Sequence, residues 1–167
     1  MGLADIAEGI EVTETQEERG VATVDGTDAT LEERLVAFES ELPCSAAAAA
    51  TALERYTAGG SVGAAGGAAG IAPVTAAKTL HLLGESVSPV GPTGRDIVRD
   101  WVAGNLSRTE AMELTRLDEA EIALAAYVET HDPLDEACAA VEGILAARHA
   151  KSQEPLADAV GDATDLL

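Results

Sequence analysis

An all-α fold, a compact multi-helix domain with tandem helix-turn-helix-like modules, is predicted by three observations. Apolar residues recur at spacings of three and four rather than alternating. Residues that start and stop helices bracket those periodic runs. The only β-like run, Gly20 to Val24, is too short to found a sheet.

Taken in order, Thr30 with Glu33 has the spacing of a capping box, and Leu31, Leu35, Phe38 and Leu42 then form one apolar stripe ending before Pro43. Ser45 caps a second helix through the alanines, with Leu53 and Tyr56 inward and Gly59-Gly60 as terminator. Ser61 caps a short helix to about Ala69, and Gly70 stops it. Pro73 suits the first turn of the next helix, which carries Val74, Ala77, Leu80 and Leu83 before Gly84.

Beyond a linker at 86–93, Thr93 opens a helix with Ile97, Val98, Trp101 and Val102, which Gly104 ends. Ser107 with Glu110 and Asp118 with Glu121 cap two more helices, the second running to His131. After Pro133 a last helix is expected from about Asp135 to Ala147. The domain plan is an acidic N-terminal helical segment (1–43), a helix-turn-helix-like module (44–85), the linker, a second helical module (94–150) and an acidic tail (151–167).

The two modules read as a repeat at an offset of 45. Tyr56 falls on Trp101, Ala58-Gly59 on Ala103-Gly104, Ser61 on Leu106, Gly70 on Thr115 and Leu80 on Ala125.

Charge sets the surface apart. Thirty acidic residues against ten basic ones give a net charge of -20, with only two lysines, Lys78 and Lys151. Carboxylates hold hydration water, and at multimolar salt the Debye length falls to about 3 Å or less, so their repulsion costs little. High charge with few aromatics is also a signature of disorder, but 47% apolar residues at helical spacing argue for a folded chain.

Between Ser45 and Gly84 the acidic coat stops: Glu54 is balanced by Arg55, and Lys78 leaves the segment at about +1. Such a gap marks either a face that meets something other than brine or an Ala/Gly-rich interior.

Within that gap, GGSVGAAGGAAGIAPVTAAKTLHLLG resembles the helix-turn-helix of resolvase-like and sigma-factor-like DNA-binding families. Ser61 stands as the cap, Gly70-Ile71 as the turn and Ala72 to Leu83 as the recognition helix. The resemblance implies that Ser61, Val74, Thr75, Lys78 and Thr79 lie near DNA. Two features depart from the pattern: the helix holds no Arg, Asn or Gln to read bases, and Gly66-Gly67 sit mid-helix at roughly 1 kcal/mol each against Ala.

WVAGNLSRTEAMELTRLDEAEIALAAYV resembles helix-turn-helix-like and small antitoxin-like segments, but Asp118, Glu119 and Glu121 would repel phosphate, which suits a structural or partner-binding copy. Arg95, Arg99 and Arg108 flank Trp101 as a candidate partner or homodimer patch, unless they pair with nearby Glu or Asp. VGPTGRDIVRDWVAG and the ending DLL resemble small acidic uncharacterised proteins of haloarchaea.

No metal or cofactor is expected, since His81, His131 and His149 lack HxxxH or HExxH spacing and Cys44 and Cys138 stand alone. The histidines read as surface or helix-end residues and the cysteines as reduced, buried thiols. The glycines lack the GKS/T and the preceding strand of a phosphate loop, and no nucleophile-base order marks a small-molecule substrate site or an enzyme. No run is long and apolar enough for a membrane span, nor does the start resemble a signal peptide, so a cytoplasmic location is expected. The expected function is therefore DNA-binding or transcription-associated regulation in a halophilic archaeon, with a non-enzymatic protein-protein adaptor using the Ala/Gly face as the alternative.

Overall fold

Four helices begin where a Ser or Asp side chain accepts the backbone N–H three residues ahead: Ser45 from Ala48, Ser61 from Ala64, Ser107 from Glu110 and Asp118 from Glu121. At Ser107 and Asp118 the Glu reaches back to the cap's own N–H, at 2.8 and 3.0 Å, completing the capping boxes expected at these two positions. A computed structural model of the chain describes residues 29 to 146, so Gly20 to Val24, His149 and the 151–167 tail lie outside the described residues. Every regular element among the described residues is helical.

The elements are α1 (Leu31–Leu35), a 3-10 turn (Val36–Phe38), α2 (Ala46–Thr57), α3 (Val62–Ala69), α4 (Pro73–Leu82), α5 (Pro92–Val102), α6 (Arg108–Thr115) and α7 (Glu119–Thr130). A further helix, α8, runs from 135 and is described to 146. The chain divides into two units, Leu31–Gly143, which contains α1 to α7, and Met1–Thr30 with Ile144–Leu167.

The first helix is shorter than its apolar stripe implies. It tightens into the 3-10 turn after Leu35, and the Leu42–Pro43 step keeps helix from resuming directly before Pro43. Leu31, Leu35 and Leu42 are still buried, and Glu39 Oε2 accepts the Ala46 N–H at 2.7 Å beside the start of α2. α5 starts earlier than Thr93: Gly91 is the cap and Pro92 the first helical residue, where its missing N–H costs nothing. The 86–91 stretch is tied down, with Tyr56 Oη donating to Ser86 O at 3.3 Å and Val90 packed on the second module's core.

α2, α3 and α4 pack on one another, as do α5, α6 and α7, and α4 meets α7 between the two sets. The repeat is real, but its register differs from the expected one. The offset of 45 holds in the first helix, where buried Leu53 matches buried Val98 and Gly59 (φ 94°) matches Gly104 (φ 83°). It becomes 46 afterwards, because Asn105 and Leu106 fill the space that Gly60 fills alone. The caps Ser61 and Ser107 correspond, as do the buried pairs Ala65 and Ala111, Ala76 and Ile122, and Thr79 and Ala125.

Candidate functional site

The turn between α3 and α4 is made by Gly70 in the left-handed region at φ 68°, followed by half-buried Ile71 and extended Ala72. The Ile71 N–H returns to Gly66 O at 3.0 Å and closes the end of α3. Gly66 is required there, since a Cβ would stand 2.9 Å from Ile71 O and 3.4 Å from both Pro73 Cα and Ala76 Cβ. What composition scores as a costly mid-helix glycine is a point where α4 and the turn before it pack against α3 too closely for a side chain. Gly67, with nothing within 4 Å of its would-be Cβ, has no such role.

Around this turn the residues without carboxylates face outward. Gly63, Gly67, Ala68, Ala72 and Pro73 are exposed, and Val74 is 42% exposed, although its helical spacing also suits an inward position. Only the start of α4 is displayed. From Thr79 to Leu83 the helix is wholly buried, so this half of the acid-free stretch is interior.

The five DNA-facing candidates therefore divide. Ser61 is exposed as the cap of α3, its Oγ accepting from Ala64 N at 3.1 Å. Thr75 and Lys78 are half-buried beside Val74. Thr79 is a correction: it is fully buried, its hydroxyl donates to Thr75 O at 2.8 Å, and its oxygen lies 3.3 Å from Cys44 Sγ. It cannot meet a ligand. Arg55, which no sequence motif marks, is exposed at the end of α2, and a Cβ on Gly60 would lie 3.2 Å from its Cγ, so it flanks Ser61.

Helix ends supply the electrostatics. Ala72 has no side-chain oxygen, so the first N–H groups of α4 have no side-chain cap. The corresponding start of α7 is filled by its own carboxylates, Asp118 and Glu121. The partial positive charge of a helix N-terminus is thus open in the first copy and neutralised in the second.

Lys78 Nζ sits 4.8 Å above the ring of Tyr127 on α7. Tyr127 stacks on His131 with centroids 3.9 Å apart and meets His81 edge-on, and burial pushes its phenol pKa up. His81 stands in the last turn of α4, a helix-end position as expected, and is buried there, its Nε2 2.6 Å from His131 O. Both cysteines are free thiols, half-buried rather than buried, and burial raises the pKa of Cys138.

The proposed arginine patch is two separate arrangements. Arg95 and Arg99 both turn to Glu129, at 3.0 and 2.8 Å, and Arg99 also reaches Asp96 at 3.4 Å. The Glu129 side chain is only 7% exposed; its Oε1 faces Arg95 as a charge contact without hydrogen-bond geometry. Arg108 pairs with Glu119 at 2.9 Å, ten residues along α7 and so roughly 15 Å away. Trp101 is half-buried, packed on Val98, Ala111, Ile122 and Ala125. The contacts of Tyr127 with Lys78 and His81, and those of Glu129 with Arg95 and Arg99, escape sequence reasoning because these partners lie on other helices, beyond any spacing rule.

One groove of about 370 Å³ opens beside the start of α5, lined by uncharged residues including Pro89, Val90, Ile97, Leu117 and 59% exposed Leu114. Among the described residues, no group of three or more His, Cys, Asp or Glu could hold a metal ion, and no helix is long and apolar enough to cross a membrane.

No curated protein and no solved structure matches the chain. A family model described as Family of unknown function (DUF7858) matches residues 1–165. The chain, with its paired three-helix modules, belongs to that family.

Proposed function

We propose that this chain is a DNA-binding or transcription-associated regulatory protein whose α3–α4 turn docks on the phosphate backbone, and that it works in the salt-rich cytoplasm of a halophilic archaeon. The observation that carries the reading is the contrast between equivalent helix starts. α4 presents uncapped N–H groups on an exposed surface free of carboxylates, whereas α7 is closed by Asp118 and Glu121. Backbone N–H groups at a helix start bind phosphate oxygens, and here Thr75 lies in the first turn of α4, with Lys78 on the same helix. A net charge of -20 opposes binding at low salt. At multimolar salt that repulsion is screened, along with the counterion-release gain that makes most DNA-binding proteins basic.

Binding of a fluorescent mixed-sequence duplex across a salt series tests this. Val74→Asp puts a carboxylate in the first turn of α4, where the helix dipole favours it, so folding survives while phosphate is repelled. A loss of about tenfold in affinity is expected; unchanged binding would remove the α3–α4 turn from the interface.

A protein-protein adaptor is the second reading, favoured by the chemistry of the face itself. Its exposed side chains are Gly, Ala, Pro and Val, which allow close helix approach and hold no guanidinium or amide for base edges. Capture of the same partners from high-salt lysate with and without nuclease favours the adaptor. Loss of capture after nuclease favours DNA.

A further inference from the structure

A lysine placed to reach phosphate still carries a flexible four-carbon stem whose rotamer freedom is lost when it binds. In this protein the ammonium of Lys78 is already lodged 4.8 Å above the Tyr127 ring, and Lys78 is the one lysine among the described residues. The ring is itself held from behind: His131 stacks on it at 3.9 Å, His131 Nδ1 lies 3.1 Å from Tyr127 O, and His81 meets its edge while Nε2 of His81 lies against His131 O. A tyrosine phenol is neutral at neutral pH, and burial only raises its pKa further, so the ring offers a π face and no charge that would compete with phosphate for the ammonium.

We infer that Tyr127, contributed by the second module, is a positioning residue that holds Lys78 at the rim of the α3–α4 face, ready for a backbone phosphate. The inference rests on the DNA-facing reading of that face. It gives the acidic second module a role in binding that its own helix start, closed by carboxylates, cannot have directly. An ammonium over a ring keeps its outer side solvated, so phosphate can approach without displacing Tyr127. Fixing the stem in advance removes part of the ordering cost of the contact.

The test uses the full chain as wild type, Lys78→Gln, Tyr127→Leu, Tyr127→Phe and the Lys78→Gln/Tyr127→Leu double variant, each first checked for an unchanged helical spectrum. The Lys78 Cε protons, shifted upfield by the ring in the NMR spectrum, report the stack without DNA; the shift should persist in Tyr127→Phe and vanish in Tyr127→Leu. Affinity for a mixed-sequence duplex should fall roughly two- to fivefold in Tyr127→Leu and stay near wild type in Tyr127→Phe. It should fall no further when Tyr127→Leu is added to Lys78→Gln.

An equal loss from Tyr127→Leu in both backgrounds would mean that the ring acts through folding alone and would overturn the inference. So would unchanged affinity in Tyr127→Leu while Lys78→Gln binds weakly. Failure of the wild type to bind any duplex, with the upfield shift intact, would instead overturn the DNA reading on which the inference stands.

Discussion

Gly70 and Arg116 hold the same place in successive copies, each ending an eight-residue helix in the left-handed region, at φ 68° and φ 59°. For an L-residue that conformation costs about 1–2 kcal/mol, a cost glycine largely escapes. Arg116→Gly should therefore stabilise the protein by about 1 kcal/mol and Gly70→Ala destabilise it by a similar amount. Denaturant unfolding of the two variants checks this. Shifts of the same sign would show that the two turns are not equivalent.

Gly66 and Gly67 are neighbours with opposite expectations. At Gly66 an added methyl meets backbone, Ile71 O at 2.9 Å, and the α3–α4 contact must open; Gly66→Ala should cost about 1–3 kcal/mol. At Gly67 the methyl meets nothing, and Gly67→Ala should gain up to about 1 kcal/mol of helix propensity. Thermal melts of the pair provide the comparison.

How far the sequence can be read depends on the range of the interaction. Caps at Ser45, Ser61, Ser107 and Asp118 and stops at Gly59, Gly70 and Gly104 act within four residues, and these were legible to within a residue or two. The repeat was legible too, but its register slipped after Gly104, because a one-residue insertion in a loop leaves the helical pattern on either side unchanged. Burial of Thr79 and His81 was not legible. Both lie on the side of α4 covered by other helices, and side-chain polarity does not reveal which face tertiary packing will cover. The pairing of Arg95 and Arg99 with Glu129, thirty or more residues away, was hidden for the same reason: local spacing favoured partners on their own helix.

Glu129 binds α7 to α5 through two arginines, so removing its charge takes that partner from Arg95 and leaves Arg99 with Asp96, at a site where the carboxylate was 7% exposed. The arginines remain about half in solvent, which limits the loss; Glu129→Gln should cost about 1–2 kcal/mol. Arg108→Gln breaks a pair whose carboxylate side chain is 76% exposed and should shift stability by under about 0.5 kcal/mol. Unfolding in parallel at low and high salt should leave the first effect largely in place and erase the second.

Glu110 gives a pH signature. The Ser107 backbone N–H and then the Ser107 hydroxyl hold its carboxylate pKa below the ordinary 4.5. A lowered folded pKa means that this contribution to stability is complete above 4.5 and is lost as pH falls through the folded value. Carboxyl NMR titration should place Glu110 below the ordinary glutamate value. In Glu110→Gln the α6 capping box should lose its acid dependence in that window.

The outward α3–α4 turn, with Lys78 at its rim, is the surface we propose to meet nucleic acid. Amide chemical-shift mapping of the full chain titrated with a mixed-sequence duplex at high salt tests it most directly. Perturbations are expected to concentrate at Ser61, Gly63, Gly67, Gly70, Val74, Thr75 and Lys78, with the start of α7 at Asp118 to Glu121 silent. Perturbations centred on the groove around Val90 and Leu114, or on α7 with the α3–α4 turn silent, would contradict it.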